Sequence, residues 1–279
     1  MNKVPIGVFD SGYGGLTVLS ELFKKLPHHD FIYFGDNART PYGNRSFEIV
    51  YAYTLEAVDF LFSQGCELII LACNTASAKA LRTIQQNDLP KYGKDKRILG
   101  VIRPCTEYVG HVTQTNSIGV LGTAGTVNSN SYPIELNKFF PGVAVYQHAC
   151  PMWVPLIENN MHLSEPGKQI IKQDVEQFLK HYPAIDTIVL ACTHYPILLD
   201  YIQKLVGEKV KVIAQGSIVA DKLVDYLERH DELNKKLSKR GRVEYFTTEN
   251  SDLFDLAAAD FTVKNTIETN RDLIVANIS

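Results

Sequence analysis

The chain reads as an α/β protein of two pseudo-symmetric domains. Each is expected to be a mainly parallel sheet flanked by helices, with the active site in the cleft between them. Three observations predict this. Short β-like runs alternate with longer amphipathic helical stretches, the pattern of βαβ units. "IGVFDSGYGG", beginning at Ile6, is echoed by "IGVLGTAGTV", beginning at Ile118. "LIILACNTASA" at residues 68–78 is echoed by "TIVLACTHYPI" at residues 187–197. The first pair is offset by 112 residues and the cysteines of the second by 119, so one loop insertion reconciles them.

Strands are expected over 5–9, 31–34, 67–72, 98–102, 117–121, 143–147, 186–191, 210–213 and 243–247. Helices fall between them. In 15–26, Leu16, Leu19, Leu22, Phe23 and Leu26 recur at spacings of three and four, which puts them on one face. Phe47, Val50, Ala57, Val58, Leu61 and Phe62 do the same in 46–63, and Ile170, Ile171, Val175, Phe178 and Leu179 in 167–181. The charged segment 228–242, "ERHDELNKKLSKRGR", reads as a solvated helix end and loop. These runs divide the chain into a first domain at 1–97, a second at 98–211, and a C-terminal segment, 212–279, that returns to pack on the first.

Composition excludes several classes. At 279 residues the chain has room for more than one core. A formal net charge of −3 argues against a dedicated nucleic-acid binder, which carries a basic surplus. No apolar run approaches the ~18 residues of a membrane span. "MNKVPIGVFDSG" lacks the charged-then-apolar pattern of a signal peptide, so a cytoplasmic location is expected. The five cysteines are odd in number and contain no Cys-x-x-Cys, which argues against a disulfide scaffold or zinc ribbon. No metal site is expected, and Cys66, Cys105 and Cys150 read as packing residues.

Cys73 and Cys192 stand apart because each ends an apolar strand and is followed by polar cap residues. In open α/β sheets ligands bind beyond the carboxyl ends of the strands. Ser11, Cys73, Thr123 and Cys192 all belong there. Two thiols facing one carbon from opposite sides can remove a proton from one face and return one to the other. A thiolate is the competent base, and helix N-termini or nearby cations favour it. Asn74 and Thr75 after Cys73, and Thr193 and Pro196 after Cys192, are helix-start types. Free backbone N–H groups there suit a carboxylate. Asp10 ends the first strand and can orient an acid–base group, and His194 is a titratable neighbour of Cys192. Gly12, Gly14 and Gly15 in "DSGYGGLT" permit close backbone approach. Their spacing is not that of a dinucleotide-binding turn.

"GVFDSGYGGLTVL", "YFGDNARTPYGNRS", "LACNTASA", "CPMWVPLIE" and "LACTHYPIL" together resemble glutamate racemases. The five motifs run in order from residue 7 to about residue 200. The resemblance implies cofactor-independent interconversion of L- and D-glutamate, with D-glutamate passing to peptidoglycan, cell-wall biogenesis and cell shape. It implies Cys73 as the base on the D-glutamate side and Cys192 on the L-glutamate side. Asp10 carries over as helper to Cys73, His194 as helper to Cys192, and Glu158 as a carboxylate assisting the second cysteine. Asp36 aligns with a family acid of less defined role. Substrate contacts carry over to Asp10, Ser11, Pro41, Tyr42, Gly43, Asn74, Thr75, Thr123 and Thr193. A homodimer is expected, with no nucleic-acid or membrane partner. Arg103 in "GVIRPC" departs from the glutamate more usual there, beside Cys105, and Tyr13 replaces a smaller residue.

Two other chemistries stay open on the residues alone. One is racemisation of aspartate or another amino acid, which keeps both thiols and changes the side-chain pocket. The other is a thiol hydrolase or transferase with one nucleophilic cysteine and His194 as base. A non-catalytic two-lobed binder fits the paired thiols poorly.

Overall fold

A computed structural model describes residues 3–250 and the strand Leu273–Val275. Among the described residues, ten strands form two sheets, and every pairing is parallel. They are β1 (Ile6–Asp10), β2 (Phe31–Gly35), β3 (Leu68–Leu71), β4 (Arg97–Gly100), β5 (Ser117–Gly122), β6 (Ala144–Ala149), β7 (Thr187–Ala191), β8 (Lys211–Ala214), β9 (Val243–Thr247) and β10 (Leu273–Val275). Nine match the expected runs. β10 has no counterpart among them, because three residues at a sheet edge carry too little pattern to read.

The first sheet has the order β10-β9-β2-β1-β3-β4 and the second β6-β5-β7-β8. The internal repeat is visible in these orders. In each half the first strand lies between the second and third, and the fourth lies outside the third. β1 therefore corresponds to β5 and β3 to β7, so Cys73 and Cys192 occupy the same place in two copies of one topology.

Central strands covered on both faces need apolar residues throughout, not alternation. β1, β2, β3 and β7 are buried at every position. Helices Gly15–Lys25, Phe47–Ser63 and Glu165–His181 lie where periodicity puts them. Ser46 caps the second, accepting from the Ile49 N–H, and Ser164 caps the third, accepting from Gly167. Each cap satisfies a donor that the first helical turn leaves without a partner.

Two expected boundaries cut through strands. Residues 98–100 belong to β4, which pairs with β3 in the first sheet. "RILG" is held there by a buried neighbouring strand, and the chain crosses over only after it. Helix Ile102–Val109 then packs Ile102, Cys105 and Val109 on the second sheet, against Ile118 and Val120. Likewise 212–214 belong to β8, which pairs with β7. The return to the first sheet is made by β9 beside β2. Residues 251–272 and 276–279 lie outside the described residues.

The segment 228–242 is less solvated than its charge suggests. Leu233 and Leu237 are buried. The backbone is tied to Val4, whose N–H donates to Lys236 and whose carbonyl accepts from Ser238. Charged neighbours hide these two leucines from a composition reading.

Candidate active site

The carboxyl ends of both sheets meet, and the paired cysteines sit where they meet. Cys73 follows β3 and is the N-cap of the short helix Asn74–Lys79, its sulfur accepting from the Ala76 N–H at 3.4 Å. The Ser11 hydroxyl is 3.4 Å from the same sulfur. Burial pushes the Cys73 thiol up to about 12, and the Asp10 charge adds to the rise, as does Cys192. The Ser11 and Ala76 hydrogen bonds work in the opposite direction.

Cys192 follows β7 and has different company. The His194 Nδ1 is 3.9 Å from its sulfur, and the His194 Nε2 is 2.9 Å from Glu158 Oε1. Glu158 closes helix Trp153–Glu158, which brings a carboxylate from a distant segment to the imidazole. Burial alone would favour neutral His194. Its hydrogen bonds to Cys192 and Glu158 outweigh burial and raise it to about 10. His194 is thus a buried cation at neutral pH, in line between a carboxylate and a thiol.

Asp10, fully buried at the end of β1, connects the two halves. Its carboxylate accepts from the Gly12 N–H at 3.0 Å and from the Thr193 hydroxyl at 3.2 Å. Burial raises it to about 6, opposed first by the His194 charge and then by its hydrogen bonds. The Thr17 hydroxyl donates to the Thr193 carbonyl at 2.9 Å. On the far wall the Thr75 and Thr123 hydroxyls are 3.0 Å apart, and the Gly125 N–H donates to Gly43 at 2.7 Å. Thr123 also caps helix Ala124–Asn128, the position in the second half that Ser11 matches in the first.

The structure thereby brings together Asp10, Ser11, Gly43, Cys73, Thr75, Thr123, Glu158, Cys192, Thr193 and His194. The other sequence-predicted residues have different placements. Asn74 is buried, but its side-chain amide donates to Gln215 at 2.7 Å and accepts from the Tyr132 hydroxyl at 2.8 Å. That amide ties the two halves together. The backbone N–H at Asn74 opens the helix, where no intrahelical acceptor exists. Pro41 is exposed, while Tyr42 is buried and donates to Asp36. Asp36 also accepts from Arg39 at 2.7 Å and from Thr248 at 2.9 Å, so its carboxylate is engaged in holding the loop. Arg103 is exposed, paired to Glu107 at 2.9 Å, and Cys105 is buried against the second sheet.

Sequence reading missed the supports. Tyr33 donates to the Gly12 carbonyl at 2.6 Å and fixes the turn after β1. Gln215, just past β8, occupies a strand end like the cysteines, and that position was its available signal. Tyr132 carried none, because it approaches from another helix. A cavity of about 670 Å³ opens elsewhere, lined by Arg82, Arg103, Lys138, Lys222 and Arg229 among others, and includes neither cysteine. The thiols instead occupy a closed site, 5% and 7% exposed.

Gly14 lets the halves close. A Cβ there would fall 2.4 Å from His194 Nδ1 and 2.5 Å from Thr193 Oγ1. Its φ of −57° is open to any residue, so space alone demands glycine. Gly14→Ala is expected to displace His194 and lower turnover about tenfold or more, as misplaced acid–base groups do. Steady-state kinetics beside an unchanged circular-dichroism spectrum checks this, and wild-type turnover would refute the packing argument.

The chain resembles known proteins over most of its length. Residues 16–223 match the model of the Asp/Glu/Hydantoin racemase family. The chain belongs to that family of isomerases. It is 38% identical over 258 residues to glutamate racemase 2 of Caldanaerobacter subterraneus subsp. tengcongensis, covering 92% of this chain and 93% of that protein. It is 40% identical over 245 residues to the glutamate racemase of Geobacter metallireducens, covering 88% and 87%. A crystal structure of glutamate racemase isoform RacE1 from Bacillus anthracis superposes with a TM-score of 0.85 at 34% identity, over 96% of this chain and 100% of that one. The Francisella tularensis glutamate racemase in complex with D-glutamate superposes at 0.84 with 31% identity, over 100% and 99%. Within its family the chain groups with the glutamate racemases. No described helix is long and apolar enough to cross a membrane.

Proposed function

We propose that the protein interconverts L- and D-glutamate without a cofactor, using Cys73 and Cys192 as a pair of acid–base groups at the α-carbon. The observation that carries this reading is the placement of the two thiols at equivalent strand ends of two repeated sheets, within one closed site. One sulfur takes the α-proton as a thiolate. The other, as a thiol, gives a proton to the opposite face of the same carbon, and the roles exchange in the reverse direction.

The α-proton is far less acidic than a thiol, and no cofactor ring spreads the resulting charge. Donors already oriented toward the α-carboxylate must stabilise it. The hydroxyls of Ser11, Thr75 and Thr123, and the backbone N–H groups that open the helix after Cys73, supply such donors without a guanidinium clamp. Exclusion of water strengthens each of them. Substrate entry then requires the halves to separate, breaking contacts such as Thr193 to Asp10 and Gly125 to Gly43. Solution scattering should show a smaller envelope with glutamate than without.

The two thiols are activated differently. On the Cys192 side, the His194 cation, held by Glu158, supports a thiolate and can take part in its proton traffic. On the Cys73 side, Asp10 and Ser11 serve. Asp10 is ionised only above about pH 6, so activity should fall as pH drops through that value. Asp10→Asn should lower the rate and abolish that acid limb. An unchanged limb in kcat/KM would remove Asp10 from the mechanism.

The product would supply D-glutamate for peptidoglycan, from a cytoplasmic homodimer. The deciding assay is incubation of L-glutamate in deuterated water with no added cofactor, followed by optical rotation and α-deuterium. Aspartate, assayed in parallel, should react poorly. Faster turnover of aspartate would reassign the substrate.

A further inference from the structure

A second cluster of reactive side chains lies at β6, the edge strand of the second sheet, beside the paired-thiol site, with Cys150 in the same apolar cluster as Cys192. His148 and Cys150, at the end of β6 and just past it, are two residues apart in extended chain, so their side chains face the same way. Asp174 comes from helix Glu165–His181, whose Ile171, Val175 and Phe178 pack with Leu121, Ile188 and Leu190 of the second sheet. The three donor atoms lie within 4.8 Å of one another. His148 Nε2 is 3.5 Å from Asp174 Oδ1.

The surroundings hold these groups in order. The Trp153 indole N–H donates to Asp174 Oδ2 at 2.7 Å, which leaves Oδ1 turned toward His148. The His148 ring lies against Phe178, with ring centroids 5.6 Å apart. Cys150 is anchored through its backbone N–H to Gly122 at 2.8 Å, and its sulfur lies a long 3.9 Å from the His148 carbonyl. A thiol so weakly bonded has ligand capacity to spare. His148 and Asp174 keep 32% and 27% of their side-chain surface exposed, which provides a way in from solvent.

We propose that His148, Cys150 and Asp174 form a site for a zinc-class divalent cation. One thiolate, one imidazole and one carboxylate are the donor types this ion takes, with bonds of about 2.0–2.3 Å. Bonds of that length require the donors to draw together by about an ångström. That needs side-chain rotation only, and the exposed side leaves the fourth position to water. The indole–carboxylate bond is the outer-shell support typical of such sites. On binding, the Cys150 thiol gives its proton to solvent. The sequence shows only the His148-x-Cys150 part of this set, because Asp174 arrives from another helix. The ion would clamp the chain just before helix Trp153–Glu158, where the Tyr195 hydroxyl donates to the Cys150 carbonyl at 3.0 Å.

The test titrates Co²⁺ into the full-length Cys73→Ala/Cys192→Ala protein, so that the active-site thiols cannot bind it. One equivalent should bind with a thiolate-to-cobalt charge-transfer band, and Zn²⁺ should displace it and raise the melting temperature. His148→Gln and Cys150→Ala should abolish the band, and Asp174→Asn, which keeps an acceptor for Trp153, should weaken binding at least about tenfold. Absence of the band, or its survival in either of the first two variants, overturns the proposal. If Cys150→Ala does not fold, the partly exposed His148→Gln decides alone.

Discussion

Racemisation is expected to fall by about 10³-fold or more on replacing either Cys73 or Cys192 with alanine, since each contributes a full acid–base role. The substitutions are small. Both sites lie at strand ends whose burial rests on β3 and β7, so the folded state should persist. The deuterium assay separates the two-base mechanism from nucleophilic catalysis. With two bases, loss of either thiol stops inversion of the α-carbon. With a covalent thiol mechanism, one variant would keep full activity and the other would lose it. Full racemisation in either single variant overturns the proposal. The double variant should be no worse than either single one, because the two groups act as a unit.

Glu158→Gln is expected to lower turnover about 10²-fold and to change its pH dependence. Glutamine retains a hydrogen bond to His194 but removes the negative charge that holds the imidazolium. The sign follows from His194 being charged below about pH 10 and neutral above it. Without the carboxylate, burial pulls the ring back toward the neutral form, so the alkaline limb moves to lower pH. An unmoved limb would make Glu158 a packing residue. The equilibrium constant between enantiomers is one, so kcat/KM must fall equally in both directions. The asymmetry of the site therefore appears in α-deuterium isotope effects. That effect should grow more for L-glutamate, whose proton goes to Cys192 in this reading, than for D-glutamate.

Much of this architecture is legible in the chain itself. Strands such as "LIIL" and "TIVLA" are apolar throughout because both faces are covered, and that run is a local signal. The helix over 167–181 shows itself through Ile171, Val175 and Phe178, which are buried as their spacing demands. The strand expected at 98–102 falls in the first sheet and not the second, because pairing with β3 rather than β5 is a nonlocal choice. Asn74 shows the same limit within the site. Its type and position suit a ligand contact, but Gln215 and Tyr132, 141 and 58 residues away, take its side-chain amide.

The sequence by itself determined the two-sheet class, the repeat and the identity of the paired thiols. Each of these is encoded in contiguous residues and in the period of their hydrophobicity. The tertiary structure alone decided which partners the thiols keep. Glu158 reaches His194 across 36 residues and Thr193 reaches Asp10 across 183. Such contacts depend on how two sheets close against each other, with a glycine at position 14 leaving the room. Burial then raises the Asp10 carboxyl to about 6 and the Cys73 thiol to about 12, while hydrogen bonds to Cys192 and Glu158 raise His194 against its burial. No local pattern specifies that environment, because desolvation and charge are set by everything packed around a group.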